Sequence, residues 1–491
     1  MPPKPTSLAI RADASDTIGT GHIMRMIALG QAVKRRGGDV HFITAACSDF
    51  LSERLRAEGF GETRVSPESI GDHSDALSTK TLCEELGSGW LVVDGYQFTE
   101  VYHLNCVSDS TRLLVLDDFG HCENWHCQTL LNQNLNVTNP TGKLPQTLLQ
   151  GVRFSLLREE FLDKPPKPRK KGPVEKLLIT LGGSDPQNVT AWVLKQLDGI
   201  VPSNVEVRVI IGPCNSHRSE LLESSYSFPI EWRTNVQDMP REYLWADAII
   251  SAGGSSCWEW LYYRLRGCIV TLTENQVASV AEIERQRIAL CLGWPDEADR
   301  SDVLRSWLQD PGAAIDSEKS STLIDGRGAD RVIAALDGTQ CLIRHANFDR
   351  DARFTFDLAN EPTVRAAGFS TDEIPWENHV AWLKNHLAAE TTHLFVIEHL
   401  DGRSVGTLRF MKREAGWEIG IAIVPDGRGK GYADLGIIAG MNELARTHGI
   451  QHYLAVIRPE NSGSRKLFER LGFHLDSADE QSTHWSYHQP L

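Results

Sequence analysis

Short apolar runs alternate with helix-patterned segments through the first two thirds of this 491-residue chain. From Leu8 the order is LAIRAD, HIMRMIALGQAVKRRG, DVHFIT, WLVVDGY and RLLVLDD. Such alternation predicts a parallel, doubly wound α/β sheet. A second series begins at KLLITLGG and continues through VEVRVIIG and ADAIISAGG. Two Rossmann-like halves leave a cleft between the carboxyl ends of two sheets, where α/β proteins bind ligands.

Two changes of pattern divide the chain. Near residue 164 the segment KPPKPRKKGP is too rich in proline and lysine for a strand or helix, and it indicates an exposed linker. Near residue 338 the strands HLFVIEHL, RSVGTLRF and WEIGIAIV begin, and the turns between them indicate a largely antiparallel α+β unit. We therefore predict two Rossmann-like halves over 1–163 and 174–338, followed by a third domain over 341–491.

The composition excludes several classes of function. A formal charge of −15 argues against extended contact with nucleic acid or an anionic membrane. The first residues lack the apolar core of a signal peptide, and no apolar run reaches the roughly 20 residues of a membrane span, so we expect a cytoplasmic protein. Ten cysteines without a CxxC pair predict mostly buried thiols. We interpret the cluster His121, Cys122, His126 and Cys127 as loop residues and expect no metal.

A glycine-rich turn joins the first strand to the first helix. Gly19 and Gly21 allow a sharp turn and the close approach of a ligand, whereas His22 and Arg25 fall one helical turn apart at the helix start. This spacing directs an imidazole and a guanidinium toward the cleft. Taken alone, the turn also fits a phosphate-binding loop or a purely structural connection.

Several segments over residues 7–335 together resemble one enzyme family, namely RADAS, GTGHxxR, DGY at 94–96, DD at 117–118, LNQN at 131–134, LREEF at 157–161, GGSD at 182–185, SAGGSS at 251–256 and ENQ at 274–276. The chain resembles the UDP-2,4-diacetamido-2,4,6-trideoxy-β-L-altropyranose hydrolases of pseudaminic acid synthesis. The resemblance implies a two-domain glycosyltransferase-B fold without a metal. It also implies that UDP is released by water attack at the anomeric carbon, with inversion.

The resemblance assigns residues to this reaction. His22 is the expected general base, because an imidazole accepts protons near neutral pH. Asp13 either orients His22 or caps the following turn, and Asp117 and Asp118 are interpreted as a pair that shapes a loop. Glu259 is expected to accept hydrogen bonds from the ribose. The residues expected to bind the substrate are Gly21, Arg25, Tyr96, Arg158, Gly253, Gly254, Ser255, Glu259, Asn275 and Gln276.

A second glycine-rich turn, Arg428-Gly-Lys-Gly-Tyr-Ala433, lies between the strand WEIGIAIV and a helix. Its glycines free backbone amides at a helix start for a pyrophosphate. With the later strand HYLAVI and the segment RPENSGSRKLFERLGF, it resembles the GNAT N-acetyltransferases over about residues 341–488. The opening segment RHANFDRDARFTFDLANEPTVRAAGF resembles the branch that acts on UDP-4-amino-4,6-dideoxy-N-acetyl-β-L-altrosamine.

The second resemblance implies that acetyl-CoA is the co-substrate. The residues expected to bind it are Val424, Arg428, Gly429, Gly431, Tyr432, Ala433, Asn461 and Ser464. Glu418 is either a base that acts through a water or a solvated strand carboxylate. Phe468 stands where the family often has a general-acid tyrosine, so that water, Tyr432 or Tyr453 must serve.

Helical spacing of Trp376 and Trp382 favours core packing over a surface for uracil. The product implied for the third domain is the substrate implied for the first two, so we expect a bifunctional enzyme that uses a UDP-linked amino sugar and acetyl-CoA. Two alternatives remain: a glycosyltransferase fused to an acetyltransferase, and a non-catalytic nucleotide-sugar sensor with a protein acetyltransferase.

Overall fold

The computed structural model describes residues 6–15, 18–135, 142–168, 172–234, 236–296, 298–312 and 322–489. Asp16 and Thr17 of the first glycine-rich turn and residues 169–171 of the predicted linker lie outside the described residues. The chain divides into two compact units, Met1–Ile333 and Ala334–Leu491. The predicted half over 1–163 lies in the first unit, as does the half over 174–338 up to Ile333.

The first half contains a parallel sheet in which seven strands are described, in the order β3-β2-β1-β4-β5-β6-β7. All five residues of β1 are buried, as are those of β4. The order reverses between β1 and β4, which is where doubly wound sheets open a crevice for ligands. The strands are β1 (Leu8–Ala12), β2 (Val40–Thr44), β3 (Gly61–Arg64), β4 (Trp90–Asp94), β5 (Arg112–Leu116), β6 (Thr129–Asn132) and β7 (Thr147–Gln150), and the helices are α1 (Gly21–Arg35), α2 (Asp49–Ala57), α3 (His73–Glu85), α4 (Glu100–Cys106) and α5 (Glu159–Leu162).

The second half repeats this topology with six described parallel strands, in the order β10-β9-β8-β11-β12-β13. Alternate residues of its strands pack into two hydrophobic clusters, Leu177 and Ile179 into one and Leu178 into the other. The order reverses between β8 and β11. The strands are β8 (Lys176–Thr180), β9 (Glu206–Ile211), β10 (Ile230–Thr234), β11 (Ala248–Ala252), β12 (Arg266–Val270) and β13 (Leu290–Gly293), and the helices are α6 (Val189–Leu197), α7 (Arg218–Glu223), α8 (Met239–Trp245), α9 (Ser256–Tyr262), α10 (Glu274–Arg285), α11 (Ser301–Gln309) and α12 (Gly328–Leu336).

The second unit contains a mixed sheet with seven described strands, in the order β14-β15-β16-β17-β18-β20-β19. Its pairings are antiparallel except that of β17 with β18, which is parallel and covers two residue pairs. The strands are β14 (Cys341–His345), β15 (Thr392–His399), β16 (Ser404–Arg413), β17 (Gly416–Ile423), β18 (His452–Ile457), β19 (His474–Ala478) and β20 (Thr483–His488), and the helices are α13 (Phe348–Ala359), α14 (Pro362–Ala367), α15 (Trp376–Ala388), α16 (Tyr432–His448) and α17 (Ser462–Arg470).

The predicted fold class is confirmed: two parallel Rossmann-like sheets precede a separate α+β unit. The two pattern changes near residues 164 and 338 fall between β7 and β8 and between α12 and β14. No described helix combines the length and the apolar character that crossing a lipid bilayer requires.

Candidate functional site

A cavity of about 1150 Å³ lies in the first unit at the carboxyl ends of its two sheets. Its lining comes mainly from the loops that follow β1, β4, β5 and β6 in the first half and β8, β9, β11 and β12 in the second, together with α2. The lining includes His22 and all ten residues that the sequence predicted to bind the substrate. The cavity therefore brings together residues that lie up to about 250 positions apart in the chain.

His22 lies in the first turn of α1, and its ring is held by a carboxylate from the neighbouring strand. Its Nδ1 is 2.7 Å from Oδ1 of Asp94, the last residue of β4, and the Asp94 side chain is fully buried. Because β1 and β4 are adjacent and parallel, the loop after β1 and the end of β4 meet at one edge of the sheet. With Nδ1 engaged, Nε2 is the ring nitrogen left for a ligand.

Asp13 does not orient His22, so that interpretation is wrong. Its Oδ1 accepts hydrogen bonds from the backbone N–H groups of Ala45 (2.7 Å) and Ala46 (2.9 Å), and its Oδ2 is 2.7 Å from Arg11. The carboxylate therefore fixes the loop after β2, and among the described residues it does not cap its own following turn, which was the structural alternative.

Arg25 joins two carboxylates at the cavity wall. Its Nε and Nη2 donate to Asp94 at 2.7 and 2.5 Å, and its Nη1 donates to Asp118 at 2.9 Å. Burial by itself raises the pKa of Asp94, but the charges of Arg25 and His22 outweigh it and hold that pKa well below its usual range. Asp94 is therefore ionised beside His22 and Arg25.

Asp117 and Asp118 are adjacent in sequence but make different contacts. Asp117 shapes its loop as expected, because it accepts hydrogen bonds from the Gly120 N–H (2.8 Å) and contacts His121 Nδ1 (3.0 Å). Asp118 instead lines the cavity, where it accepts a 2.6 Å hydrogen bond from the Tyr96 hydroxyl. The expectation of a shared structural role is wrong for Asp118. Successive side chains along an extended segment point to opposite sides, so the sequence could have indicated that Asp117 and Asp118 face different surroundings.

One hydrogen bond links the two halves of the first unit across the cavity. The side-chain Nδ2 of Asn275, from the start of α10, donates to the Tyr96 hydroxyl at 2.9 Å. The adjacent Gln276 accepts a 2.9 Å hydrogen bond from the Leu272 N–H. A Cβ atom at Gly253 would lie 2.4 Å from Val280, so the loop after β11 has no room for a side chain at that position.

Glu259 is held from both sides at the cavity wall. Its Oε1 is 3.1 Å from Nη1 of Arg158, and its Oε2 accepts a 3.1 Å hydrogen bond from the Tyr243 hydroxyl. Burial raises the pKa of Glu259, although the charge of Arg158 opposes this shift. Arg158 also donates to Glu160 at 2.7 Å. Sequence reasoning gave Tyr243 no role, since it lies on a different helix and no local motif includes it.

In the second unit, the Arg428–Ala433 turn leads into α16. Gly429 and Gly431 have φ angles of 74° and 79°, a region that favours glycine, and Gly431 is the N-cap of this 17-residue helix. Arg428 donates a 3.0 Å hydrogen bond to Glu361. The turn follows Val424 and a short 3-10 helix, Pro425–Gly427.

The two tyrosines considered as proton donors are both buried. Tyr453 is enclosed in the core, where its hydroxyl contacts the carbonyl oxygens of Met441 (2.9 Å) and Ile450 (2.8 Å), which excludes it as a general acid. Tyr432 packs into the same hydrophobic core. Its ring is therefore part of the core at the start of α16. Phe468 is likewise buried, against Phe473.

Asn461 caps α17 through a 3.0 Å hydrogen bond from the Ser464 N–H. Glu418 accepts a 2.6 Å hydrogen bond from Arg413. Trp382 packs against a small hydrophobic cluster, but 38% of Trp376 is exposed, so core packing is wrong for Trp376.

The ten cysteines are free thiols, six of them buried. Within the described ranges, no group of three or more His, Cys, Asp or Glu side chains could hold a metal ion.

Comparison with known proteins gives one family match and several distant similarities. Residues 341–474 match the acetyltransferase (GNAT) domain family. The uncharacterized protein MJ1062 of Methanocaldococcus jannaschii is 23% identical over 98% of this chain and 99% of its own length. The spore coat polysaccharide biosynthesis protein SpsG of Bacillus subtilis is 26% identical over 39% of this chain and 56% of its own.

The crystal structure of MurG from Acinetobacter baumannii matches with 12% identity over 68% of this chain and all of that chain, at a TM-score of 0.47. These similarities outside the GNAT match are weak. The second unit thus contains a GNAT acetyltransferase domain, for which acetyl-CoA is the co-substrate, as the sequence predicted.

Proposed function

We propose that this chain is a bifunctional nucleotide-sugar enzyme with a hydrolase in its first unit and an N-acetyltransferase in its second. The first unit hydrolyses UDP-2,4-diacetamido-2,4,6-trideoxy-β-L-altrose to UDP and free sugar. The second acetylates the 4-amino group of the UDP-linked precursor, as in pseudaminic acid synthesis. The observation that supports the hydrolase most strongly is the His22–Asp94 pair at the cavity wall.

His22 is the general base of the proposed hydrolysis. Asp94 accepts a hydrogen bond from the Nδ1–H of the ring, which leaves the Nε2 lone pair for a water molecule. The water oxygen attacks the anomeric carbon while the bond to the UDP oxygen breaks, and UDP departs with the electron pair. The water proton passes to Nε2, and the ionised Asp94 stabilises the imidazolium that forms.

The second half is the proposed UDP site. After β11, Gly253 and Gly254 allow the diphosphate to approach the backbone, and Ser255 offers a hydroxyl. Glu259 is the acceptor for the ribose hydroxyls, and Arg158 and Tyr243 hold its carboxylate in position. Asn275 and Gln276 complete the wall opposite His22. These roles follow from the family resemblance and from the position of each residue on the cavity.

The GNAT domain supplies the acetyl transfer. The pyrophosphate of acetyl-CoA binds at Gly429 and Gly431, where N–H groups at the start of α16 are free to donate. The register of β17 with β18 ends at Glu418 and Leu454, so later amides of β17 can bind the acetyl carbonyl. The amine nitrogen forms a bond to the acetyl carbon, the C–S bond breaks, and the thiolate takes a proton from water.

The amine proton passes to Glu418 through a water molecule in this proposal. Glu418 also forms an ion pair with Arg413.

Hydrolysis in H₂¹⁸O tests the first activity. The purified chain is incubated with the UDP-diacetamido sugar, and mass spectrometry follows both products. We expect ¹⁸O in the free sugar and UDP release that needs no added acceptor. His22→Ala should lower the kcat of UDP release by about 10²–10⁴ with little change in KM, and acetyl transfer should be preserved. Undiminished hydrolysis by this variant would rule out His22 as the base.

A glycosyltransferase is the second candidate for the first unit, and the size of the cavity favours it. The cavity exceeds the roughly 300–1000 Å³ of common small-molecule sites, and Phe50 and Phe119 expose 47% and 41% of their surface at its wall. Such a wall could hold a sugar acceptor. UDP release that requires an added acceptor, with no ¹⁸O in the product, would favour this candidate.

A further inference from the structure

Arg409 lies in the middle of β16, on the sheet face away from α16. Its neighbours Leu408 and Phe410 point into the hydrophobic core that α16 covers. Because successive side chains of a strand point to opposite faces, Arg409 lies on the face covered by α13 and α15. Its guanidinium carbon is 5.7 Å from the ring centre of Trp382 on α15.

No carboxylate among the residues that the structure describes forms an ion pair with Arg409. Its Nε is buried and has no hydrogen-bond partner among the residues that the structure describes. Glu418 is the carboxylate whose charge acts on it, but Glu418 is bound to Arg413 at 2.6 Å. Burial lowers the pKa of Arg409, although the charge of Glu418 opposes this shift.

The guanidinium of Arg409 lies against a glycine of the neighbouring strand, which has no side chain to crowd it. Gly420 of β17 is directly opposite Arg409 in the register, and a Cβ atom there would lie 3.1 Å from Arg409 Nη2. A half-buried arginine without a counter-charge is costly for the folded chain, and an anion that completes its hydrogen bonds offsets this cost. Gly420 also belongs to β17, the strand that borders the proposed acetyl-CoA cleft.

We propose that Arg409 binds an anionic group of the phosphate class, carried by the amine that the GNAT domain acetylates. The guanidinium donates two parallel hydrogen bonds to phosphate oxygens, and Trp382 supports its planar face. The acceptor is therefore an amine joined to a phosphate or diphosphate, in contrast to a free amino sugar or a polyamine. The identity of the acceptor rests on the proposed function, whereas the anion site itself does not.

Direct binding tests the site without any reaction. Inorganic pyrophosphate is titrated calorimetrically into the full chain after CoA has been added to saturation, so that the turn at Gly429 and Gly431 is filled. UDP is left out because its diphosphate would occupy the proposed site. We expect two remaining sites, one in the first-unit cavity that Arg409→Gln leaves unchanged and one that Arg409→Gln weakens about 10- to 100-fold. Arg413→Gln is the matched control, because Arg413 is on the same strand and already paired. Equal binding by wild type and Arg409→Gln would overturn the proposal.

Acetyl transfer tests the acceptor. With one amino sugar supplied as UDP-linked and as free sugar, Arg409→Gln should raise the KM of the UDP-linked form about 10- to 100-fold and leave the KM of acetyl-CoA unchanged. Arg409→Met should unfold at a temperature no lower than the wild type, because it removes an unpaired charge.

The outcomes of the two experiments separate the anion site from the proposed acceptor. Arg409-dependent pyrophosphate binding without acetylation of the UDP-linked amine would support the site and refute the proposed acceptor. Unchanged kinetics of Arg409→Gln on that amine would overturn the inference and leave the proposed function standing.

Discussion

At the scale of single residues, Asp94 is the side chain on which the proposed base depends. Asp94→Asn replaces one oxygen by an NH₂ group, and that group can present a proton to His22 Nδ1 and so favour the wrong tautomer. We expect the kcat of UDP release to fall by at least about 10² with little change in KM. Steady-state UDP release by the purified variant measures this effect.

Asp13→Asn is the control for Asp94→Asn. Asp13 is buried beside Arg11 and fixes the loop after β2, so its loss should lower the free energy of unfolding. Variant protein that remains folded, as circular dichroism reports, should release UDP at nearly the wild-type rate. A large loss of kcat in Asp13→Asn together with normal kcat in Asp94→Asn would restore Asp13 as the partner of His22.

The residues whose common position the sequence predicted and those whose contacts it missed differ in how local their signals are. Gly21, His22 and Arg25 belong to one turn, so their common position follows from helical spacing. Asp94 is 72 positions from His22, and only the adjacency of β1 and β4 brings the two together. Asp13 is closer in sequence, but its side chain faces the loop after β2, an orientation that a motif does not encode.

At the scale of an element, α16 has at each end a glycine whose φ angle is positive. Gly431 is its N-cap with φ 79°, and Gly449 is its C-cap with φ 65°. Gly431→Val should raise the KM of acetyl-CoA strongly, because valine disfavours this φ and its branches would crowd the pyrophosphate at the free N–H groups. UDP release should be unaffected. Separate assays of the two activities on one preparation measure the contrast.

Gly449→Val is the matched control at the other end of the same helix. It introduces the same kind of backbone strain, of order 1–3 kcal/mol, at the end of the helix away from the pyrophosphate turn. We expect a lower unfolding midpoint with an unchanged KM for acetyl-CoA. An equal rise in KM for both variants would mean that helix stability, and not the pyrophosphate turn, accounts for the effect of Gly431→Val.

The same scale shows which elements the sequence could reveal. β1 and β4 are buried on both faces, and their continuous apolar runs identify them. β3 (GETR) and β10 (IEWRT) lie at sheet edges and contain no buried residue. Backbone hydrogen bonds to β2 hold β3, which has no apolar side chain, whereas Ile230 and Trp232 of β10 alternate with polar residues and pack against the core, a weaker signal than a continuous apolar run.

At the scale of the whole molecule, the contacts of α12 indicate where the chain can be cut so that each proposed activity keeps its own folded unit. Its Arg331 donates hydrogen bonds to the Arg153 carbonyl (2.9 Å) and to Asp325 (2.8 Å), and the next residues, Val332 and Ile333, are buried. The division between the compact units falls after Ile333, inside this helix. The boundary proposed from the sequence, between 338 and 341, instead keeps α12 whole.

Truncation tests this boundary. A chain ending at Gly338 should fold in a cooperative transition and release UDP at the full-length rate, because it retains α12 and all the residues of the first-unit cavity. A chain ending at Arg327 lacks α12 and loses the buried contacts of Arg331, Val332 and Ile333, so its unfolding midpoint should be much lower. Residues 339–491 should retain acetyl transfer. UDP release that disappears in the well-folded 1–338 chain and returns on adding 339–491 would show that the hydrolase requires the second unit.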